Sequence, residues 1–172
     1  MSWLNNDGLY IKLAAEEGQV AKGGTYRSVG PLQITEVKLD LTVDATSTSA
    51  IIGSALGQAG VYIPDGSYVE KVEVVAEVAA TSGGSATLDV GIIRRDRSTP
   101  VDIDGLVAAL ALTAIDAAGE TSVLTKGATG AGALIGTTVT NGGYLVANRN
   151  TANFTAGKVT VRVYWYKPQT IG

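Results

Sequence analysis

From residue 32 onward the chain repeatedly sets apolar side chains at every second position. Val37, Leu39, Leu41 and Val43 share one parity, with Lys38, Asp40 and Thr42 on the other. A side-chain period of two is the mark of a pleated strand with one face on a core. Leu32 and Ile34 fall on the opposite parity, so a bulge is expected at Thr35-Glu36. The clearest run places Val72, Val74, Ala76, Val78 and Ala80 on one face against Lys71, Glu73 and Glu77. After Thr81-Ser82-Gly83-Gly84-Ser85 the alternation resumes, with Leu88, Val90 and Ile92 set against Thr87, Asp89 and Gly91. Two such runs around a Gly-Gly turn predict a hairpin. Strands are also expected at 133–139 and 144–149, separated by Asn141-Gly142-Gly143, a second hairpin signature. In the last run Val159, Val161, Val163 and Trp165 oppose Thr160, Arg162, Tyr164 and Tyr166, and Pro168 closes it.

The segments between these runs read differently. Residues 45–60 are rich in Thr, Ser, Ala and Gly and read as loop; Val61-Tyr62-Ile63 then leads into the turn Pro64-Asp65-Gly66. Residues 106–112 are apolar, alanine-rich and preceded by Asp104-Gly105. They read as a short helix across one end of the fold with Asp104 as its N-cap, a buried strand being the alternative. Pro31, Pro64, Pro100 and Pro168 all fall between elements, as a sheet protein requires. The spacing predicts an all-β, antiparallel two-sheet β-sandwich, jelly-roll-like, with at most one short helix. Its core should include Val72, Val74, Val78, Leu88, Val90, Val161, Val163 and Trp165. Residues 1–31 are broken by Gly8, Gly18, Gly23, Gly24 and Gly30. They read as an extended N-terminal arm with at most a short strand near 8–14, ahead of a sandwich domain over 32–172; an ordinary first strand plus loop is the alternative. An ordered arm of this kind needs a partner surface, and Trp3, Leu4, Leu9, Tyr10, Ile11 and Tyr26 are its candidate contacts.

Composition narrows the function. The 172 residues fit one domain. The chain has no histidine and no cysteine, which removes the side chains best suited to proton transfer near neutral pH, covalent attack and soft-metal binding. Charged residues are 17%, below the usual quarter, and 45% are hydrophobic. A surface so poor in charge suits an interface, hence a homo-oligomer or assembly component. A net charge of −3 argues against nucleic acid as partner. No apolar run is long enough for a membrane-spanning helix, and the opening Met1-Ser2-Trp3-Leu4 is unlike a signal peptide, so neither membrane nor secretion is expected.

The candidate sites are few. Arg94-Arg95-Asp96-Arg97 reads as an anchor for an acidic partner or as a solvated hairpin end. Asp102-Ile103-Asp104-Gly105 resembles the start of a calcium loop, but Thr113 stands where the bidentate Glu belongs. Residues 127–132 are glycine-rich without the lysine and helix of a phosphate loop. Glu70, Glu73 and Glu77 raise paired carboxylates of the glycosidase kind, yet Glu73 and Glu77 alternate with an apolar face, as solvated carboxylates do. Arg162, Tyr164 and Tyr166 form a strand face of interface-enriched types, with a cross-strand aromatic ladder as the alternative. No catalytic, cofactor or metal site is expected, and the chain does not read as an enzyme.

A family resemblance agrees. The opening Trp3-Leu4-Asn5-Asn6-Asp7-Gly8-Leu9-Tyr10-Ile11-Lys12, with Lys22-Gly23-Gly24-Thr25-Tyr26, resembles virion structural proteins of tailed bacteriophages. So do the stretch from Tyr62-Ile63-Pro64-Asp65-Gly66 to Val72, Ala86-Thr87-Leu88-Asp89-Val90-Gly91, and the closing Phe154-Thr155-Ala156-Gly157-Lys158-Val159-Thr160-Val161. The resemblance implies a capsid decoration or cement protein: a β-sandwich, often trimeric, bound outside the lattice of the major capsid protein. It would be made in the host bacterial cytoplasm and end on the capsid surface. A tail accessory, or a carbohydrate- or receptor-binding module using Trp165 or Tyr164, is the alternative.

Overall fold

The computed structural model describes residues 2–4, 10–12, 32–45, 50–51 and 61–168. Twelve strands are assigned among them. They are β1 (Ser2–Leu4), β2 (Tyr10–Lys12), β3 (Gln33–Asp40), β4 (Ala50–Ile51), β5 (Tyr62–Ile63), β6 (Ser67–Ser82), β7 (Thr87–Ile93), β8 (Pro100–Ala111), β9 (Thr121–Leu124), β10 (Thr138–Val139), β11 (Gly143–Asn150) and β12 (Phe154–Tyr166). A single 3-10 turn spans Leu112–Ala114. The expected all-β, two-sheet antiparallel architecture is present. The first sheet runs β10-β6-β12-β3, with β9 also on β6; the second runs β4-β11-β7-β8, with β5 also on β11. β1 and β2 pair separately, Trp3 opposite Ile11.

Alternation places the core where period two demands. Val37 and Leu39 of β3, Val72 and Val74 of β6, and Val159, Val161 and Val163 of β12 meet Leu88, Val90 and Ile92 of β7 and Leu145 of β11. All eleven are buried. β7 is buried on both faces: Gly91 lies under the backbone of Asp102 and Ile103, where a Cβ would stand 2.1 Å from the Asp102 carbonyl oxygen. That close packing admits only glycine.

Several expectations are corrected. Val78 is 48% exposed, because register shifts in the β6–β12 ladder fall on both sides of its pairing with Lys158. A one-residue slip turns a side chain to the opposite face, and Val78 sits between two of them. Trp165 is half-buried against the core edge, with its indole Nε1 donating to Thr35 Oγ1 at 2.8 Å. No bulge occurs at Thr35-Glu36: β3 keeps unbroken register with β12, and Leu32 and Ile34 are exposed. β3 ends at Asp40, so Leu41 is buried from a turn while Val43 points outward.

Residues 106–112 form no helix. Residues 106–111 extend β8, which continues from Pro100 to Ala111, Leu112 opens the 3-10 turn, and Asp104 caps nothing helical. Pairing with buried β7 overrides alanine's helical preference. Neither predicted hairpin forms. β6 belongs to the first sheet and β7 to the second, so Gly83-Gly84 lies in an arch between sheets. Likewise β10 pairs with β6 and β11 with β7, and 133–139 contributes only Thr138–Val139 as strand.

Candidate functional site

Arg162, Tyr164 and Tyr166 lie at alternate positions of β12, which pairs with β3 and β6 on its two sides. Their register partners supply the neighbours. Arg162 Nε donates to Glu36 Oε2 at 2.7 Å; Tyr164 Oη donates to Glu73 Oε2 at 2.7 Å; Lys71 Nζ donates to Glu73 Oε1 at 2.7 Å and sits 4.2 Å above the Tyr164 ring. Thr160 Oγ1 donates to Glu77 Oε1 at 2.8 Å. Tyr166 faces Tyr68 with ring centroids 5.1 Å apart. The Lys71 ammonium and then the Tyr164 hydroxyl hold the Glu73 carboxyl below its ordinary range. Both oxygens of Glu73 are engaged and its pKa is lowered, the reverse of what a general acid needs. This face is a preorganised, charge-laced sheet surface, with Val123 of β9 49% exposed at its rim.

The arginine cluster occupies one end of the second sheet. Its turn follows β7 and closes with Arg94 N on Thr99 O at 2.9 Å, leaving Arg97 at φ 59°. Asp96 is spent on this turn. It accepts from Ser98 N, Thr99 N and Thr99 Oγ1, which hold its carboxyl well below the usual range, the Thr99 hydroxyl contributing most. Two tyrosines that the sequence did not single out sit alongside. β11 lies between β5 and β7, so Tyr144 stands opposite both Tyr62 and Ile93. The two rings meet edge to face at 5.6 Å. Arg95 stacks on Tyr62 at 4.8 Å and donates to its Oη at 2.7 Å; Arg97 stacks on Tyr144 at 4.9 Å. The only sequence signal for this was the position of each tyrosine next to a turn. Asp65 accepts from Gly142 N at 2.6 Å. Among the described residues no carboxylate pairs with Arg94, Arg95 or Arg97 within ion-pair distance. A shallow depression of about 290 Å³ opens here, lined by Asp65, Arg94, Arg95, Asp96, Asn141 and Gly142.

The two clusters are not brought together, for they belong to different sheets. Of the arm candidates, Trp3, Leu4, Tyr10 and Ile11 fall in the β1–β2 ribbon, while Leu9 and Tyr26 lie outside the described residues. Among the described residues no group of three or more acidic side chains is placed to hold a metal ion. Nor is any helix long and apolar enough to cross a membrane.

The architecture has counterparts among solved structures. A chain of the acidic stable capsid of Helicobacter pylori bacteriophage KHP30 superposes with a TM-score of 0.52 at 16% identity, covering 83% of this chain and 92% of that one. The fold is shared with phage capsid chains. A chain of the cyanophage Pam1 capsid matches with a TM-score of 0.51 at 17% identity, covering 92% of this chain and all (100%) of that one. The capsid of Ralstonia phage GP4 gives 0.51 at 15% identity, with 87% and 92% covered. In each case nearly the whole capsid chain is matched, so these chains are of similar size to this one. No protein-family model matches the sequence, and no curated protein does.

Proposed function

We propose that this chain is a structural protein of a phage virion, a decoration or cement protein on the outside of the head. The observation that carries the reading is the near-complete overlap with small chains of three phage capsids. The acidic balance favours a place away from packaged nucleic acid. The arginine–tyrosine end supplies guanidinium groups held over aromatic rings and, among the described residues, without a carboxylate ion-pair partner, which suits an acidic patch on the major capsid protein. Repetition over a lattice makes many weak contacts sufficient. No catalysis is part of this reading, since Glu73 and Glu77 are held in the sheet network. Self-association is part of it, with the trimer that the family resemblance implies. Trp165 is tied to Thr35 and Lys71 covers Tyr164, so neither ring forms an open sugar platform.

Heads assembled without the protein provide the test. Added protein is expected to bind saturably, at a fixed ratio to the major capsid protein, and to raise the temperature at which heads open. Paired Arg95→Ala and Arg97→Ala substitutions should weaken that binding about tenfold. Failure to bind heads, with binding to tails or cell-surface glycan in its place, would overturn the reading.

A further inference from the structure

Edge strands expose unpaired backbone groups, and folded proteins normally protect them. The first sheet ends on β3, which among the described residues has β12 on one side and no strand on the other. The remaining borders are guarded. The far side of β6 carries β9 and β10, and that of β11 carries β4 and β5. β8 is broken by register shifts, holds Ala109 at φ 50°, and is bonded by Ala108 N to Gly130 O at 2.9 Å. β3 alone among these is long and regular, with eight consecutive pairs to β12.

The direction of its free groups follows from one bond. Leu41 N donates to Gly157 O at 3.0 Å, and these residues continue the β3–β12 register. Odd-numbered residues of β3 therefore turn their N–H and C=O toward β12. Those of Ile34, Glu36 and Lys38 point to the open edge. Asp40 N points the same way and is capped by Asp44 Oδ2 at 2.8 Å, which ends the open stretch. The stretch begins with apolar surface, Leu32 at 49% and Ile34 at 56% exposure.

We propose that a second copy of this chain fills that edge, the two β3 strands pairing antiparallel about a two-fold axis at Val37. This register is selected by charge and by backbone direction together. It sets Glu36 of each copy opposite Lys38 of the other, with both residues in hydrogen-bonded pairs. Centring on Glu36 would oppose two carboxylates; centring on Thr35 would set Glu36 against Ile34 and leave Lys38 beside Leu32. Opposite charges directly across strands stabilise a pair, and like charges destabilise it. Lys38 makes no ion pair among the described residues, and Glu36 holds Arg162 through Oε2 alone, leaving Oε1 for the incoming lysine. The contact is isologous and closes at two copies. It is distinct from any three-fold contact and does not rest on the capsid reading.

Sedimentation of the full chain over a concentration series tests this. A reversible species of twice the 17.6 kDa chain mass is expected, with amide exchange at Glu36 and Lys38 slowing as it forms. Glu36→Lys and Lys38→Glu should each weaken association about tenfold, and the two substitutions together should restore it. Both side chains are exposed, so unchanged circular dichroism certifies that the variants fold. If three-fold contacts also form, the wild-type mass is six chains and each single substitution reduces it to three. A mass of one chain throughout, or a trimer indifferent to the swaps, overturns the proposal. So does a double variant that stays dissociated.

Discussion

Asp89 shows how a polar position can be legible while its role is not. It falls on the polar parity of β7, opposite the apolar Leu88, Val90 and Ile92, yet it is only 4% exposed. It is buried because β8 carries an extra residue here: Leu88 opposes Leu110, but Val90 opposes Val107. The bulge leaves Ala109 N without a ladder partner, and Asp89 Oδ1 accepts from it at 2.6 Å while Oδ2 accepts from Asn150 Nδ2. Asp89→Ala removes both acceptors and should cost about 2–3 kcal/mol in a denaturant melt. Burial is the largest influence on this carboxyl and raises its pKa above the ordinary 3.8. A raised folded pKa favours the folded state most when the group is protonated. The contribution is complete below the ordinary value and lost as pH rises through the folded one. Acidifying from neutral through that window should therefore stabilise wild type relative to Asp89→Asn. Glu73 is shifted the opposite way, so its contribution exists above its ordinary 4.5 and is lost as pH falls through the lowered value. Wild type should lose stability relative to Glu73→Gln over that lower window. Paired melts across acidic pH check both signs.

At the scale of elements, alternation identified strands and inner faces well. Leu88, Val90, Val161 and Val163 are buried as their parity requires. What alternation does not encode is the partner. A run of period two presents the same apolar face whether its successor lies beside it or across the core, so β6 and β7 read as a hairpin and are an arch. Nor does it encode bulges, which leave no residue signature around Val78 and reverse its direction. Substitutions separate the cases. Val78→Thr should change stability by less than about 0.5 kcal/mol, whereas Leu39→Ala, 1% exposed, should cost about 2–5 kcal/mol. Glycines divide the same way. A Cβ on Gly143 would stand 1.9 Å from the Ile93 carbonyl oxygen, while one on Gly83 meets nothing within 4 Å. Gly143→Ala should destabilise by about 3 kcal/mol or more, and Gly83→Ala should be neutral, in the same melt. The arginine–tyrosine cluster was half legible: the charge run was visible, but the strand order that sets Tyr62 and Tyr144 beside it was not.

For the whole molecule, the order of strands ties the two sheets together. From β3 in the first sheet the chain passes to β4 and β5 in the second, returns at β6, crosses to β7 and β8, returns at β9 and β10, crosses to β11 and returns into β12. Neither sheet can separate while the other stays intact, because every crossing strand buries its face in the shared core. Central β12 also joins distant sequence, pairing Val161 with Val37. Such pairings require long loops to close before they are rewarded, which makes folding slow and cooperative. The arm is expected to stand outside this unit. Among the described residues the core cluster begins at Val37, so removing residues 1–30 takes nothing described from it. The truncated chain should melt in one transition, with Trp165 fluorescence and far-UV circular dichroism sharing a midpoint close to that of the full chain. Its affinity for heads should fall sharply, because strand hydrogen bonds from an arm contribute only when a partner surface receives them. Split transitions, or a truncated chain that fails to fold, would place the arm inside the folding unit. Undiminished decoration of heads would make the arm a passive tail.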